Sequence, residues 1–130
     1  MKQGNINMIE QYISKSIKCK CGKVHKSRVE SIEINDNAID TDLIAFLKAN
    51  KYRSLTVVCD KNGYKAAGKM VCGTLEKTDI QYKLHLFHND FLAPDEYAIG
   101  NLAMGIFGES DIIVAVGSGT VNDVCRYVSA

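Results

Sequence analysis

The sequence predicts an α/β fold: a three-layer, Rossmann-like parallel sheet with helices on both faces, incomplete within this chain. Three observations predict it. Leu55–Cys59 and Ile112–Val116 are short, almost wholly apolar and rich in β-branched residues, which is how strands buried on both faces read. Strand-like and helix-like segments alternate along the chain, which implies parallel strands joined by crossovers. The second apolar run passes directly into Gly117-Ser118-Gly119, a tight turn at the start of a helix.

The elements follow in order. Ser31-Ile32-Glu33-Ile34 alternates polar and apolar and reads as a first strand, beginning as early as Val29. From Ile39 to Asn50 the apolar residues Ile39, Leu43, Phe46 and Leu47 fall on one helical face. Asp40 and Asp42 in its first turn and Lys48 in its last suit the helix dipole. Leu55–Cys59 is a strand that Asp60 ends. Asn62-Gly63 turns the chain, and Tyr64–Lys69 reads as helical. Gln81–Phe87 alternates and reads as a strand. Pro94-Asp95-Glu96 opens a helix running to about Phe107. Ile112–Val116 is the clearest strand, and Val121–Val128 forms the last helix. The expected order is β-α-β-α-β-α-β-α, with no internal repeat or linker.

Length and composition bound the function. A chain of 130 residues holds one domain and one core. Sixteen basic and 15 acidic residues leave a formal net charge of +1, which gives no electrostatic reason to expect nucleic acid or an anionic membrane as partner. No apolar run approaches the roughly 20 residues of a membrane span. Met1 to Ile17 carries Asn5, Asn7, Glu10 and Gln11 and has no signal-peptide core. The expected compartment is the cytoplasm, where the five cysteines are reduced thiols. A small-molecule substrate is the expected partner, and a homodimer is the assembly considered. The apolar face of the last helix implies that something covers it.

Several residue groups carry chemistry. A buried strand running into Gly117-Ser118-Gly119-Thr120 makes an anion site: the glycines admit a phosphate close to the backbone, and helix N–H groups face it. Thr120 adds a hydroxyl suited to capping. The bland reading is a tight turn that binds nothing. Asn122 stands where a dinucleotide fingerprint has its third glycine. Asp60, at the end of a buried strand, is placed to accept bonds from a ribose. Taken alone it is more simply a turn former in Asp60-Lys61-Asn62-Gly63. Gly63-Tyr64-Lys65-Ala66-Ala67-Gly68-Lys69 matches a triphosphate loop in spacing. Met70 replaces its hydroxyl residue and Ala66-Ala67 prefer helix, so the match reads as coincidence.

Cys19-Lys20-Cys21-Gly22 with His25 resembles half of a zinc knuckle. It lacks a fourth ligand, and a turn is the simpler reading. Cys59 and Cys72 read as buried thiols. His85, His88, Asp90 and Asp95 could be ligands, but a polar strand edge explains them equally well.

Two segments carry a family resemblance: Asp60-Lys61-Asn62 with Gly68, and Ile112-Ile113-Val114-Ala115-Val116-Gly117-Ser118-Gly119-Thr120-Val121-Asn122-Asp123-Val124-Cys125-Arg126-Tyr127-Val128-Ser129. They resemble the sn-glycerol-1-phosphate dehydrogenases of the glycerol dehydrogenase and iron-containing alcohol dehydrogenase superfamily. The Cys19–His25 stretch also resembles the N-terminal region of those proteins.

The resemblance implies that Gly117, Ser118, Gly119 and Thr120 hold the pyrophosphate of NAD or NADP. It implies that Asp60 binds the adenine ribose, and that Asp123 faces the nicotinamide and the substrate. It implies NAD(P)-dependent oxidoreduction of glycerol 1-phosphate and dihydroxyacetone phosphate, with glycerol or polyol oxidation as the alternative. A divalent metal (zinc, nickel or iron) is implied in the full-length family, held by one Asp and two His beyond these residues. Residues 1–130 are then expected to be a truncated N-terminal nucleotide-binding domain lacking the helical metal-binding domain, with no catalytic residue of their own. Gly63 departs from the family's usual Thr, which weakens any adenine-side contact. Two other classes remain: a non-catalytic nucleotide-binding module, and a zinc-dependent interaction module built on Cys19, Cys21 and His25.

Overall fold

The computed structural model describes residues 9–106, 108 and 110–130. Asn5, Asn7 and Phe107, which enter the sequence reading, lie outside the described residues. The chain divides between Asp36 and Asn37 into two compact units.

The first unit carries an antiparallel hairpin of β1 (Ser16–Lys18) and β2 (Val24–Lys26), in the register Ser16↔Lys26 and Lys18↔Val24. All six strand residues are exposed. Its turn closes through Cys19 N–H to the Lys23 carbonyl at 2.9 Å and Gly22 N–H to the Cys19 carbonyl at 3.0 Å. Gly22 takes φ +82°, a conformation that suits glycine.

Residues 29–34 form no strand, against the expectation from their alternation. Ser31 Oγ instead donates to Glu33 Oε1 at 3.0 Å, and Val29 and Ile34 stay exposed. Alternation describes one strand face, but a strand also needs a partner edge, and among the described residues none pairs with this segment.

The second unit is the α/β body. Helix α1 spans 38–49. Its first turns are π-wound: the Asn37 carbonyl accepts from Thr41 N–H at 2.8 Å and from Asp42 N–H at 3.4 Å. Leu47 is fully buried, and Ile39, Leu43 and Phe46 pack beside it. Strand β3 is Ser54–Asp60. Helix α2 covers 61–75 with a π-wound centre at Tyr64–Gly68. Strand β4 is Gln81–Phe87, α3 is Glu96–Gly105, β5 is Ile112–Val116 and α4 is Gly119–Val128. Helix α3 begins where Pro94-Asp95-Glu96 predicts, with Asp95 accepting from Ala98 N–H at 3.0 Å.

The three strands are parallel in the order β4-β3-β5. Rossmann-like layering is therefore present, with three parallel strands among the described residues instead of the four expected. Central β3 alternates its side chains between two cores. Leu55, Val57 and Cys59 pack with Leu47, Val71, Cys72 and Leu75 from α1 and α2. Val58 faces the other way, with Ala98 and Leu102 of α3 and Val121, Val124 and Cys125 of α4. The apolar face of the last helix is thus covered by this chain's own sheet and α3. At the amino end of the sheet, Asp111 Oδ2 accepts from Arg53 N–H at 2.7 Å and Ser54 N–H at 2.9 Å, fastening β5 to β3. Those two bonds hold the Asp111 carboxyl below its ordinary pKa.

The sheet order also fixes a switch point. From β3 the chain leaves through α2 on one face to reach β4. It returns through α3 on the opposite face to β5 and leaves again through α4. Adjacent strands β3 and β5 therefore send their helices to opposite faces, which opens a crevice at their carboxyl ends.

Candidate functional site

The crevice is built by two strand-to-helix turns. Register pairs Cys59 with Val116, so Asp60 and Gly117 follow side by side. Asp60 is the N-cap of α2, and its Oδ1 accepts from Gly63 N–H at 2.6 Å. The simple reading of Asp60 as a turn former is realised. Gly63 is buried against the second turn: a Cβ there would collide with the Val116 carbonyl oxygen and lie 2.9 Å from Gly117 Cα. Gly68 lets α2 approach β3, since its Cβ would stand 2.7 Å from Cys59 Sγ. The G-x-x-x-x-G-K spacing therefore records helix packing; residues 61–75 are helical throughout and form no extended phosphate loop.

In the second turn Ser118 is the N-cap of α4, with extended backbone (ψ 178°), yet its side chain makes no capping bond. The helix begins at Gly119, two residues earlier than Thr120 would require as a cap, so Thr120 lies inside the first turn and does not cap. A Cβ on Gly119 would meet nothing within 4 Å, so the approach to the helix start is clear. A Cβ on Gly117 would touch Val121 Cγ2 at 3.0 Å. First-turn N–H groups at an uncapped helix end attract an anion, aided by the helix dipole.

A cavity of about 390 Å³ occupies the crevice, lined by Asp60, Asn62, Gly63, Ala66, Ala67, Val116, Gly117 and Ser118. The structure thus brings Asp60 together with Gly117 and Ser118. Gly119 and Thr120 follow in the first turn of α4, and Asp123 is exposed one turn further on, outside the cavity lining. Sequence reasoning placed Gly63 near the site only through the family resemblance and did not find Ala66 and Ala67 as lining. Small side chains carry no chemical signal, and their only trace was the glycine spacing first read as coincidence. A smaller cavity of about 150 Å³ shares Asp60 and Asn62 and adds Lys61, Lys65, Asn89, Asp90 and Leu92. There Lys61 Nζ bonds Asp90 Oδ1 at 2.7 Å, which holds the Asp90 carboxyl below its ordinary range.

The remaining candidates sort cleanly. His85 Nε2 pairs with Asn101 Oδ1 at 3.0 Å, and its ring meets Phe87 edge-on at 4.8 Å. Burial pushes its pKa down, against the raising effect of the Asn101 bond. Asp90 is taken by Lys61 and Asp95 by the start of α3. His85, His88, Asp90 and Asp95 do not converge as ligands; among the described residues the set that does is Cys19, Cys21 and His25. No Asp-His-His set of the kind the family resemblance implies comes together among the described residues. All five cysteines are free. Cys59, Cys72 and Cys125 are buried, as the sequence implied for the first two. Burial raises all three thiols, Cys59 and Cys125 to about 11.

An open cradle at the switch point of a parallel sheet, edged by an acid and a glycine turn, is where Rossmann-like α/β folds place their ligands. The family model for iron-containing alcohol dehydrogenases matches residues 33–130, and the chain belongs to that family. Named relatives are narrower in kind. A glycerol-1-phosphate dehydrogenase, NAD(P)+, of Bacillus licheniformis is 32% identical over 126 residues, covering 94% of this chain and 31% of the relative. Its namesake in Geobacillus thermodenitrificans is 27% identical over 124 residues, 93% of this chain and 30% of the relative. One in Bacillus subtilis is 27% identical over 105 residues, 78% of this chain and 26% of the relative. The chain spans about a third of the length of the curated relatives it matches.

Proposed function

We propose that the crevice between β3 and β5 holds the pyrophosphate of NAD or NADP, and that residues 1–130 are the N-terminal, cofactor-binding part of an NAD(P)-dependent dehydrogenase. The observation that carries this reading is the pairing of an uncapped helix start with an acid-edged cavity at the sheet's switch point.

In this reading the N–H groups at Gly119 and Thr120 receive the pyrophosphate, and Gly117 and Ser118 let it approach the backbone. Asp60 has Oδ1 committed to its own cap, so Oδ2 accepts from the adenine ribose. Ala66 and Ala67 supply a flat apolar wall. Asp123 lies further along α4, toward the nicotinamide and substrate. Lys65, which lines the smaller cavity with Asp60, offsets its repulsion of a 2′-phosphate, which supports acceptance of both cofactors. The bound cofactor supplies or accepts a hydride; these residues bind and orient it.

The substrate pair proposed is glycerol 1-phosphate and dihydroxyacetone phosphate. The names of the relatives support it, as do the Ile112–Ser129 segment and Asp60-Lys61-Asn62 with Gly68. Catalysis and the family's divalent metal are assigned to residues outside this chain. The cytoplasm is the compartment proposed; no helix among the described residues is long and apolar enough to cross a membrane.

Calorimetric titration of the chain with NADH and then NADPH tests the cofactor site. We expect saturable binding that is abolished in Gly119→Val. Its Cβ enters open space, and the branched side chain blocks the approach to the helix start. A folded chain that binds neither cofactor would refute the reading.

A further inference from the structure

The hairpin unit contains a feature that the crevice leaves unused. Cys19, Cys21 and His25 present two sulfurs and one ring nitrogen, all within 4.8 Å of one another and all exposed. We propose that they form a mononuclear site for zinc or a similar thiophilic divalent ion, with two thiolates, one imidazole and a water in the fourth position.

The geometry is close to what the metal requires. Zn–S bonds of about 2.3 Å and Zn–N bonds of about 2.0–2.1 Å at tetrahedral angles place ligand atoms roughly 3.5–3.8 Å apart. Cys21 Sγ and His25 Nε2 are 3.2 Å apart, and the widest separation is within 4.8 Å. Side-chain shifts of about 1 Å complete the set.

Backbone structure sets this arrangement up. The β1–β2 register fixes His25 opposite Ile17, while the turn, closed at Gly22, folds Cys21 back beside it. Cys21 N–H points at Cys19 Sγ at 3.5 Å. Such N–H···S bonds steady a thiolate ligand and orient it toward a metal.

A second observation is energetic. Both strands have three residues each, and none of those residues is buried. A two-stranded hairpin without a buried face is marginal in water. Metal binding free energy is folding free energy for such a unit, so an ion held by residues 19, 21 and 25 clips the two strands together. All three ligands come from one turn-and-strand segment, so the fourth position faces solvent. Zinc fits this borderline N/S donor set, whereas magnesium and calcium require oxygen.

The full chain, stripped with a chelator and kept reduced, is titrated with cobalt(II) and then zinc. We expect one cobalt per chain, intense visible bands of a four-coordinate ion, and a near-ultraviolet thiolate-to-cobalt band, all displaced by zinc. Cys19→Ser and Cys21→Ser should each halve the thiolate band and weaken zinc about 100-fold. His25→Gln should weaken zinc while keeping both thiolates on cobalt. Zinc, but not magnesium, should slow trypsin cleavage at Lys20 and Lys23, a readout on the unaltered chain that needs no variant to fold. A weak six-coordinate cobalt spectrum without a thiolate band would overturn the site. So would a full thiolate band in the double serine variant, or one ion shared between two chains.

Discussion

The two strand-to-helix turns at the carboxyl edge of the sheet are built alike and finished differently. In the β3–α2 turn Asp60 caps its own helix at 2.6 Å, and Gly63 and Gly68 are jammed against the neighbouring turn and strand. In the β5–α4 turn Ser118 holds the same position without capping, and Gly119 faces empty space. A helix start satisfied by its own side chain has little to offer a ligand; one left open keeps its N–H groups and dipole available. On the proposed reading the difference assigns roles within one cavity: the first turn is scaffold, and the second is the proposed anion seat.

The largest expected effect is at Gly68. Gly68→Val forces α2 off β3, because even a Cβ would lie 2.7 Å from Cys59 Sγ. A loss of about 3 kcal/mol is expected from such overpacking. A urea midpoint close to wild type would show that the first turn is looser than described. Next comes Asp60→Ala, expected to cost about 1 kcal/mol as a lost cap. Asp60→Asn keeps an acceptor oxygen and should hold stability within about 0.5 kcal/mol. If both variants unfold alike, the cap is not what Asp60 contributes.

A smaller effect depends on pH. Burial lowers the folded-state pKa of His85 below its ordinary 6.5, so the unfolded chain takes up the proton first. Stability from neutral His85 is therefore complete above pH 6.5 and is lost as pH falls through the folded value. His85→Gln should flatten that part of a stability-against-pH curve, and an unchanged curve would contradict the burial argument. The smallest effect sharpens the comparison most. Ser118→Ala removes no capping bond and should change stability by about 0.5 kcal/mol or less. A loss as large as that of Asp60→Ala would make the two turns equivalent and end the contrast.

These differences also show what the sequence made legible. Strands β3, β4 and β5 were readable because burial on two faces, or on one, writes itself as an apolar run or an alternation. The order Asp60, then Gly117 to Thr120, placed both turns correctly. Which turn caps itself was not readable, since Asp and Ser are both good N-caps and only geometry decides between them. Alternation at 29–34 misled because pairing is non-local. The hairpin of Ser16–Lys26 was missed for the opposite reason: its exposed residues carry no periodic signal. Cys19, Cys21 and His25 are legible in the sequence as three donor types; that the turn gathers their ligand atoms within 4.8 Å of one another is visible only in the structure.

The place of β3 at the centre of the sheet has a consequence for how the molecule assembles. Its pairing with β4 joins nearby parts of the chain; Arg53 and Asp79, at that end of the sheet, are 26 positions apart. Its pairing with β5 is more distant, with Ser54 and Asp111 57 positions apart. Closing the longer loop costs more entropy and rewards the chain later. The β3-α2-β4 segment should therefore organise first, and the crevice comes into being only when β5 docks. The proposed nucleotide seat is then the last part of the body to form, and a ligand that bound it would stabilise the slowest contact in the fold.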